Sequence, residues 1–208
     1  MARLTRAESQ ARTRQRLIEA AATVFGRHGF HGASIEEVAT EADYTKGAVY
    51  SNFGSKDEVF LAVLEARLQA EAEFYRQLDE TVRGQPDHDL AEQLPRLDDL
   101  DETWCLLQVE FLLYALRNPP LRDRIATLYR QYRSWLAPVA RQYASADIEP
   151  EEVAAIVIAL YHALTLQWHT DPGVIRPDLI MRVLRAIADP DERLAGGRNA
   201  PSTDGITS

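Results

Sequence analysis

The sequence predicts an all-α protein: an N-terminal three-helix helix-turn-helix domain followed by a C-terminal helical bundle, about nine helices in all. Three observations point there. Apolar residues recur at three- and four-residue steps in every long segment. No stretch alternates apolar and polar residues as a half-buried strand does. Proline, glycine or a Ser/Thr cap stands at most segment ends. With 208 residues, 46% of them hydrophobic, the chain can bury a core of ordinary size.

In chain order, residues 1–10 read as a flexible basic arm. Arg12 to His28 reads as a helix, with Leu17, Ile18, Ala21, Ala22 and Phe25 on one face, Gly29 as its left-handed C-cap and Phe30 packing behind it. Arg14, near its start, is placed to reach a phosphate or to stay solvated. Ser34 and Glu37 make a capping box for a short helix carrying Ile35, Val38, Ala39 and Ala42. Asp43-Tyr44 is the turn. Thr45 caps a second short helix with Ala48, Val49 and Phe53 inside. Helices this short need a packing partner. Ser55 with Glu58 repeats the capping box and opens a long helix to about Arg83, with a stripe from Phe60 to Leu78.

Residues 85–101, with Pro86, Pro95 and many acids, read as a linker with at most a helical turn. Glu102 to Arg117 is apolar on nearly all sides, which predicts a buried helix. Asn118-Pro119-Pro120 stops it. Leu121 to about Tyr143 is the next helix, with Pro138 as a kink site. Pro150 starts a strongly apolar helix to Trp168, and Pro177 opens the last. Three units follow: 1–54, a helix-turn-helix domain with a basic arm; 55–189, a larger helical bundle; and 190–208, a disordered tail rich in Gly, Pro, Ser, Thr and Asp.

The helix after the turn has the chemistry of a nucleic-acid reader. Thr45, Lys46, Tyr50, Ser51 and Asn52 supply hydroxyls, an amide and a cation, and no acid, which suits phosphates and base edges. Gly47 costs helix stability, about 1 kcal/mol against alanine. Its place there suits close approach to another surface. Charge agrees. Residues 1–56 hold eight Lys/Arg and six Asp/Glu, whereas the other 152 hold fifteen and twenty-six, within a net charge of −9. A basic end on an acidic body fits one DNA-facing end. A solvated charged terminus is the plainer alternative.

These residues resemble the TetR family of bacterial transcriptional regulators. The match runs from Arg14 to about Phe60. It includes Ile18, Ala21, Ala22, Phe25, Gly29, Phe30, Ser34, Ile35, Val38 and Ala39, then the string TKGAVYSNFGSKDEVF. By that likeness Thr45, Lys46, Gly47 and Ser51 face base edges, and Tyr50 and Lys56 hold phosphates. The turn position often filled by glycine in the family is Asp43 here, a residue that tolerates left-handed backbone. The rest of the chain matches only in helix pattern and length.

In the bundle, Trp104, Phe111, Tyr129, Tyr132, Trp135 and Tyr161 could line an apolar pocket or be plain core. Gln108 and Glu110 lie in the most apolar helix, where a charge needs a partner. Glu110 reads as half of a structural pair with an arginine of the next helix, or as a ligand contact. His162 and His169 sit two turns apart, too far for a metal pair, and no Cys/His cluster supports a metal site. The expected ligand-binding set is Trp104, Gln108, Phe111, Tyr132, His162 and His169, with no cofactor.

Enzyme readings lack parts: no Ser-His-Asp spacing and no glycine-rich phosphate loop. The single Cys105 excludes an internal disulfide and suits a reducing cytoplasm. The polar start shows no signal peptide. The longest apolar run, Val153 to Leu166, is too short to span a membrane. By its resemblance to the TetR family the chain is expected to be a cytoplasmic one-component regulator, a repressor that binds a palindromic DNA operator as a homodimer and is released by a small, largely apolar effector, with residues 55–189 serving ligand binding and dimerisation. The alternative is a dimeric DNA-binding protein without an effector, controlled by a protein partner; its bundle would have a filled core.

Overall fold

The computed structural model describes residues 5–82, 95–144, 147–173 and 175–188. Among these, eight α-helices are present and no strand: α1 (Arg6–Gly32), α2 (Ile35–Glu41), α3 (Lys46–Phe53), α4 (Lys56–Val82), α5 (Glu102–Arg117), α6 (Pro119–Ala140), α7 (Pro150–Thr170) and α8 (Leu179–Ala188). Short 3-10 turns at Leu97–Asp99 and Arg141–Tyr143 complete the expected helical content. The acidic linker residues 85–94 and the tail 190–208 lie outside the described residues.

The expected flexible arm is corrected. Helix α1 begins at Arg6, because Thr5 accepts from the Glu8 N–H and the Glu8 carboxylate accepts from the Thr5 N–H at 2.7 Å. This Thr-x-x-Glu capping box was legible and overlooked among the arginines. At the other end Gly29 (φ 68°) breaks the helical geometry, and Phe30 turns into the core as expected.

Helix α2 packs on α1, and α3 packs on α2 and on α4. Ser34 and Glu37 close the expected capping box, with bonds of 2.7 and 3.2 Å. Thr45 Oγ1 accepts from the Ala48 N–H and caps α3. Between them Asp43 takes φ 60°, the left-handed turn expected of it. The box at Ser55 is only half formed. Ser55 Oγ accepts the Glu58 N–H at 3.2 Å, but the Glu58 carboxylate pairs with Arg124 of α6 instead.

The buried apolar residues form one continuous cluster from Leu17 on α1 to Leu184 on α8. Within it an aromatic stack forms where α1, α4 and α5 meet. Phe60 lies 3.8 Å from Phe111 and 5.2 Å from Phe25 between ring centroids. All three rings are fully buried, worth about 1.5–3 kcal/mol each in area removed from water.

Helix α5 departs from expectation. Its sequence is apolar all round, yet only one face is buried: Leu106, Leu113 and Leu116 stay exposed, Leu116 at 67%. Helix α7 does the same. Ile156, Ala159, Ala163 and Leu166 are exposed at steps of three, four and three, the spacing of a coiled-coil seam. At 21 residues α7 is long and apolar enough to cross a bilayer, more than its apolar run suggests; here it packs mainly on α6 and α5. Helix α6 passes through Pro138 and tightens into the 3-10 turn Arg141–Tyr143.

Candidate DNA interface and ligand cavity

Helix α3 presents its polar face outward. Thr45, Lys46, Gly47, Tyr50 and Ser51 are all exposed, while Val49 and Phe53 hold the helix in the core. A side chain added at Gly47 would meet nothing closer than Thr45 Oγ1 at 3.7 Å. No neighbouring atom among the described residues therefore demands glycine there. Asn52 donates to the Ala48 carbonyl at 2.8 Å and accepts on its own carbonyl from Arg14 at 3.1 Å. Arg14 also covers the Phe53 ring at 4.3 Å. It braces the end of α3, a third possibility beside phosphate contact and free solvation.

The two lysines differ. Lys46 is exposed and ion-paired to Glu36 of α2, beside the Tyr50 ring. That pair is exposed on both sides, so it is weak and easily exchanged for a phosphate. Lys56 is half-buried. Its Nζ donates to the Ala33 carbonyl at 2.6 Å and lies 4.6 Å over the Phe30 ring. Burial holds its ammonium below the usual lysine range. In this arrangement Lys56 ties the start of α4 to the end of α1.

The bundle contains a partly open cavity of about 520 Å³, within the range of small-molecule sites. Of the expected ligand set, Trp104, Gln108, Tyr132 and His162 line it. Phe111 does not: it lies one turn beyond Gln108, where α5 has left the cavity and stacks on Phe60. His169 does not either, being in the last turn of α7 beyond Thr165. Of the other aromatic candidates, Tyr161 lines the cavity, Tyr129 lines a shallower recess beside it, and Trp135 is exposed.

The sequence reading missed the wall supplied by α4: Arg67, Glu71, Phe74 and Tyr75. Their four- and three-residue steps put them on one face, which was a usable signal. Glu71 accepts from Tyr132 Oη at 2.9 Å and from Arg67 Nε at 2.8 Å. Burial raises the Tyr75, Tyr132 and Tyr161 phenols above their usual range and lowers His162, so at neutral pH these groups face the cavity uncharged. Trp104 Nε1 is buried and has no hydrogen-bond partner among the described residues. No group of three or more His, Cys, Asp or Glu side chains among them could hold a metal ion.

Glu110 is neither paired with an arginine nor part of the cavity wall. Its Oε2 accepts the Phe30 N–H at 2.5 Å, and its Oε1 lies 2.5 Å from where a Cβ on Gly29 would be. On the same side of α5, Tyr114 Oη donates to Asp57 at 3.2 Å. Helix α5 thus contributes Trp104, Cys105 and Gln108 to the cavity and Glu110 and Tyr114 to contacts with α1 and the start of α4.

The described residues are helical, with a helix-turn-helix at one end and a cavity of ligand size in the bundle, an architecture that suits a transcription regulator. The model for bacterial regulatory proteins of the TetR family matches residues 17–63, and that for the C-terminal part of BetI-type transcriptional repressors matches residues 82–190. The nicotine-responsive repressor HdnoR of Paenarthrobacter nicotinovorans is 32% identical over 170 residues, 77% of this chain and 85% of that protein. SrpR of Pseudomonas putida is 48% identical over 67 residues, 32% of this chain and 31% of that regulator. Among solved structures, the multidrug binding protein EbrR complexed with imidazole superposes with a TM-score of 0.54 at 26% identity, covering 91% of this chain and 92% of that one. A TetR-family member from Streptomyces coelicolor superposes with a TM-score of 0.57 at 25% identity, covering 84% and 97%. The chain belongs to the TetR family of bacterial transcriptional regulators; it is a regulator and not an enzyme.

Proposed function

We propose that this protein is a repressor that binds a palindromic operator as a homodimer and leaves it when a small molecule occupies the bundle cavity. Residues 1–54 serve the DNA and residues 55–189 the ligand and the dimer. The observation that supports the DNA half is the acid-free, exposed face of α3, braced from behind by Arg14 and by the core ring of Phe53. Thr45, Lys46, Gly47 and Ser51 face base edges and Tyr50 a phosphate. Lys56 reaches a phosphate only by giving up the Ala33 carbonyl.

The exposed seam of α7 supports the dimer. Ile156, Ala159, Ala163 and Leu166 are small or apolar and spaced to meet a second copy. A two-fold dimer then sets two α3 helices for half-sites about one helical turn apart, or a multiple. The cavity supports the effector reading over a partner-controlled protein with a filled bundle. Relatives that respond to nicotine, or that bind drugs and imidazole, agree with a small organic effector. Such a ligand acts only through its differential affinity for the two dimer shapes.

The test is binding to DNA from around the chain's own coding region at two salt concentrations, with Tyr50→Ala as control. Specific, salt-sensitive binding that the variant loses supports the reading. Binding that the variant keeps unchanged counts against α3 as the reader.

A further inference from the structure

The first turns of α1 stand clear of the rest of the chain. Residues 5–12 are all exposed, and α1 joins the core only at Leu17. They lie ahead of residues 17–63, which the TetR-family model matches. A helical end without packing partners frays in water unless something holds it. Here Thr5 and Glu8 close the tip: the Glu8 carboxylate accepts from the Thr5 N–H at 2.7 Å and from Thr5 Oγ1 at 2.8 Å. The segment from Thr5 to Arg16 is thus a rod of about 18 Å, at about 1.5 Å per residue. It carries four arginines and one acid, and that acid is occupied by the cap.

Two contacts fix the rod against α3. Thr13 Oγ1 and Tyr44 Oη lie 3.3 Å apart, and Tyr44 directly precedes the Thr45 cap of α3. Arg14 donates to the Asn52 carbonyl near the other end of α3. Thr5, Ser9, Arg12 and Arg16 follow one another at steps of four, three and four, so they share one face. Arg16 and Arg12 stand beside Tyr44: its phenol is held below the usual range by the bond to Thr13 and then by these two guanidiniums. No carboxylate among the described residues pairs with Arg6, Arg12 or Arg16, and Glu36 and Glu41 of α2 are matched with Lys46 and Arg27 instead.

We propose that Arg6, Arg12 and Arg16 make a second DNA contact, in which the start of α1 lies along the phosphate backbone that flanks the bases met by α3. This rests on the reading of α3 as the DNA reader. Arg14, on the same rod, is turned inward to brace α3, while these three keep their charge for an outside partner. A polyanion whose charges repeat along a line suits a rod of arginines better than a single anion does. Because the rod is already ordered, the contact lacks the ordering cost that a flexible arm carries. Phosphate contacts position the protein and carry no sequence information. The rod therefore adds affinity and salt dependence while α3 sets the base preference.

The test uses a duplex that the native full chain selects from a random-sequence library. Salt titration by fluorescence anisotropy and interference by phosphate ethylation are compared for the native chain, Arg6→Gln/Arg12→Gln, and Arg130→Gln/Arg141→Gln, which removes the same charge from two exposed positions of the bundle. The α1 variant is expected to keep the native melting temperature and base preference. Its slope of log affinity against log salt should be shallower by about 0.9 for each arginine withdrawn from a phosphate, or about 3.6 for two arginines in each half of a homodimer. Ethylation of the flanking phosphates should hinder the native chain and not this variant. The bundle variant should keep both slope and pattern. An α1 variant with the native slope and pattern overturns the proposal and leaves α3 standing as the reader. An equal loss of slope in the bundle variant also overturns it, since the effect would then follow net charge. A native chain that selects no sequence overturns both.

Discussion

The Glu110 carboxylate, on α5, accepts the backbone N–H of Phe30 at 2.5 Å, at the point where Gly29 turns the chain out of α1. Eighty residues separate the two in sequence. The contact satisfies one of the amides orphaned by the break in α1 and places a charge where the apolar pattern of α5 leaves no room for one. Glu110→Ala should destabilise the fold by about 1.5–3 kcal/mol, the usual loss for a charge-assisted hydrogen bond. Urea unfolding measures this. A change under about 0.5 kcal/mol would mean the bond is unimportant in solution.

Gly29→Ala should be worse than an exposed glycine substitution. The position has φ 68°, and the new Cβ would lie 2.5 Å from Glu110 Oε1. The variant must strain the turn and move the carboxylate together, at a cost above about 1 kcal/mol. Pairing it with Glu110→Ala in a double-mutant cycle should recover part of the loss, because the clash disappears with the carboxylate.

If Lys46 meets the DNA as proposed, it must exchange Glu36 for a phosphate or base. Glu36→Gln removes an acid from beside α3 and frees Lys46. DNA affinity should rise severalfold at low salt, and the gain should shrink as salt increases. Band-shift titrations at 50 and 200 mM salt would show it; an unchanged affinity at low salt would place Lys46 away from the DNA.

Lys56→Met separates two roles that sequence alone merges. If Lys56 ties α4 to α1 through the Ala33 carbonyl and the Phe30 ring, the variant loses about 1–3 kcal/mol of stability. A purely phosphate-binding lysine would leave the melting temperature unchanged and lower only DNA affinity.

His162 gives a pH signature. Burial depresses its folded-state pKa below the unfolded value of about 6.5. The unfolded chain therefore binds the proton more readily. The group's contribution is intact above about pH 6.5 and is lost as pH falls from there through the folded value. Thermal melts between pH 7.5 and 5.5 should fall less steeply for His162→Gln than for the native chain.

Much of the fold was legible because its signals are local. The capping box at Ser34, the Thr45 cap, the turn at Asp43 and the proline stops around residues 118–120 each depend on a few neighbouring residues. The outward face of α3 followed from composition for the same reason. What was hidden depends on distant partners. The apolar helix α5 gives no hint that Leu113 and Leu116 stay exposed while Phe111 is buried against Phe60. Arg67 and Glu71 look like an ordinary surface pair four residues apart until α6 brings Tyr132 to them. Phe111 and Trp104 lie on one face of α5, yet only Trp104 reaches the cavity, because that face passes from one neighbour to another within two turns.

That passage along α5 has a genetic consequence. Trp104, Cys105 and Gln108 touch the cavity, and Glu110 and Tyr114 touch the DNA-binding end, within eleven residues of one rigid rod. If the cavity holds an effector as proposed, heritable changes in what the protein senses and in how firmly it represses should map to the same short stretch of codons. A lineage acquiring a new inducer through α5 would inherit an altered basal expression with it, and would need a compensating change on α1 or α4 to restore the old set point.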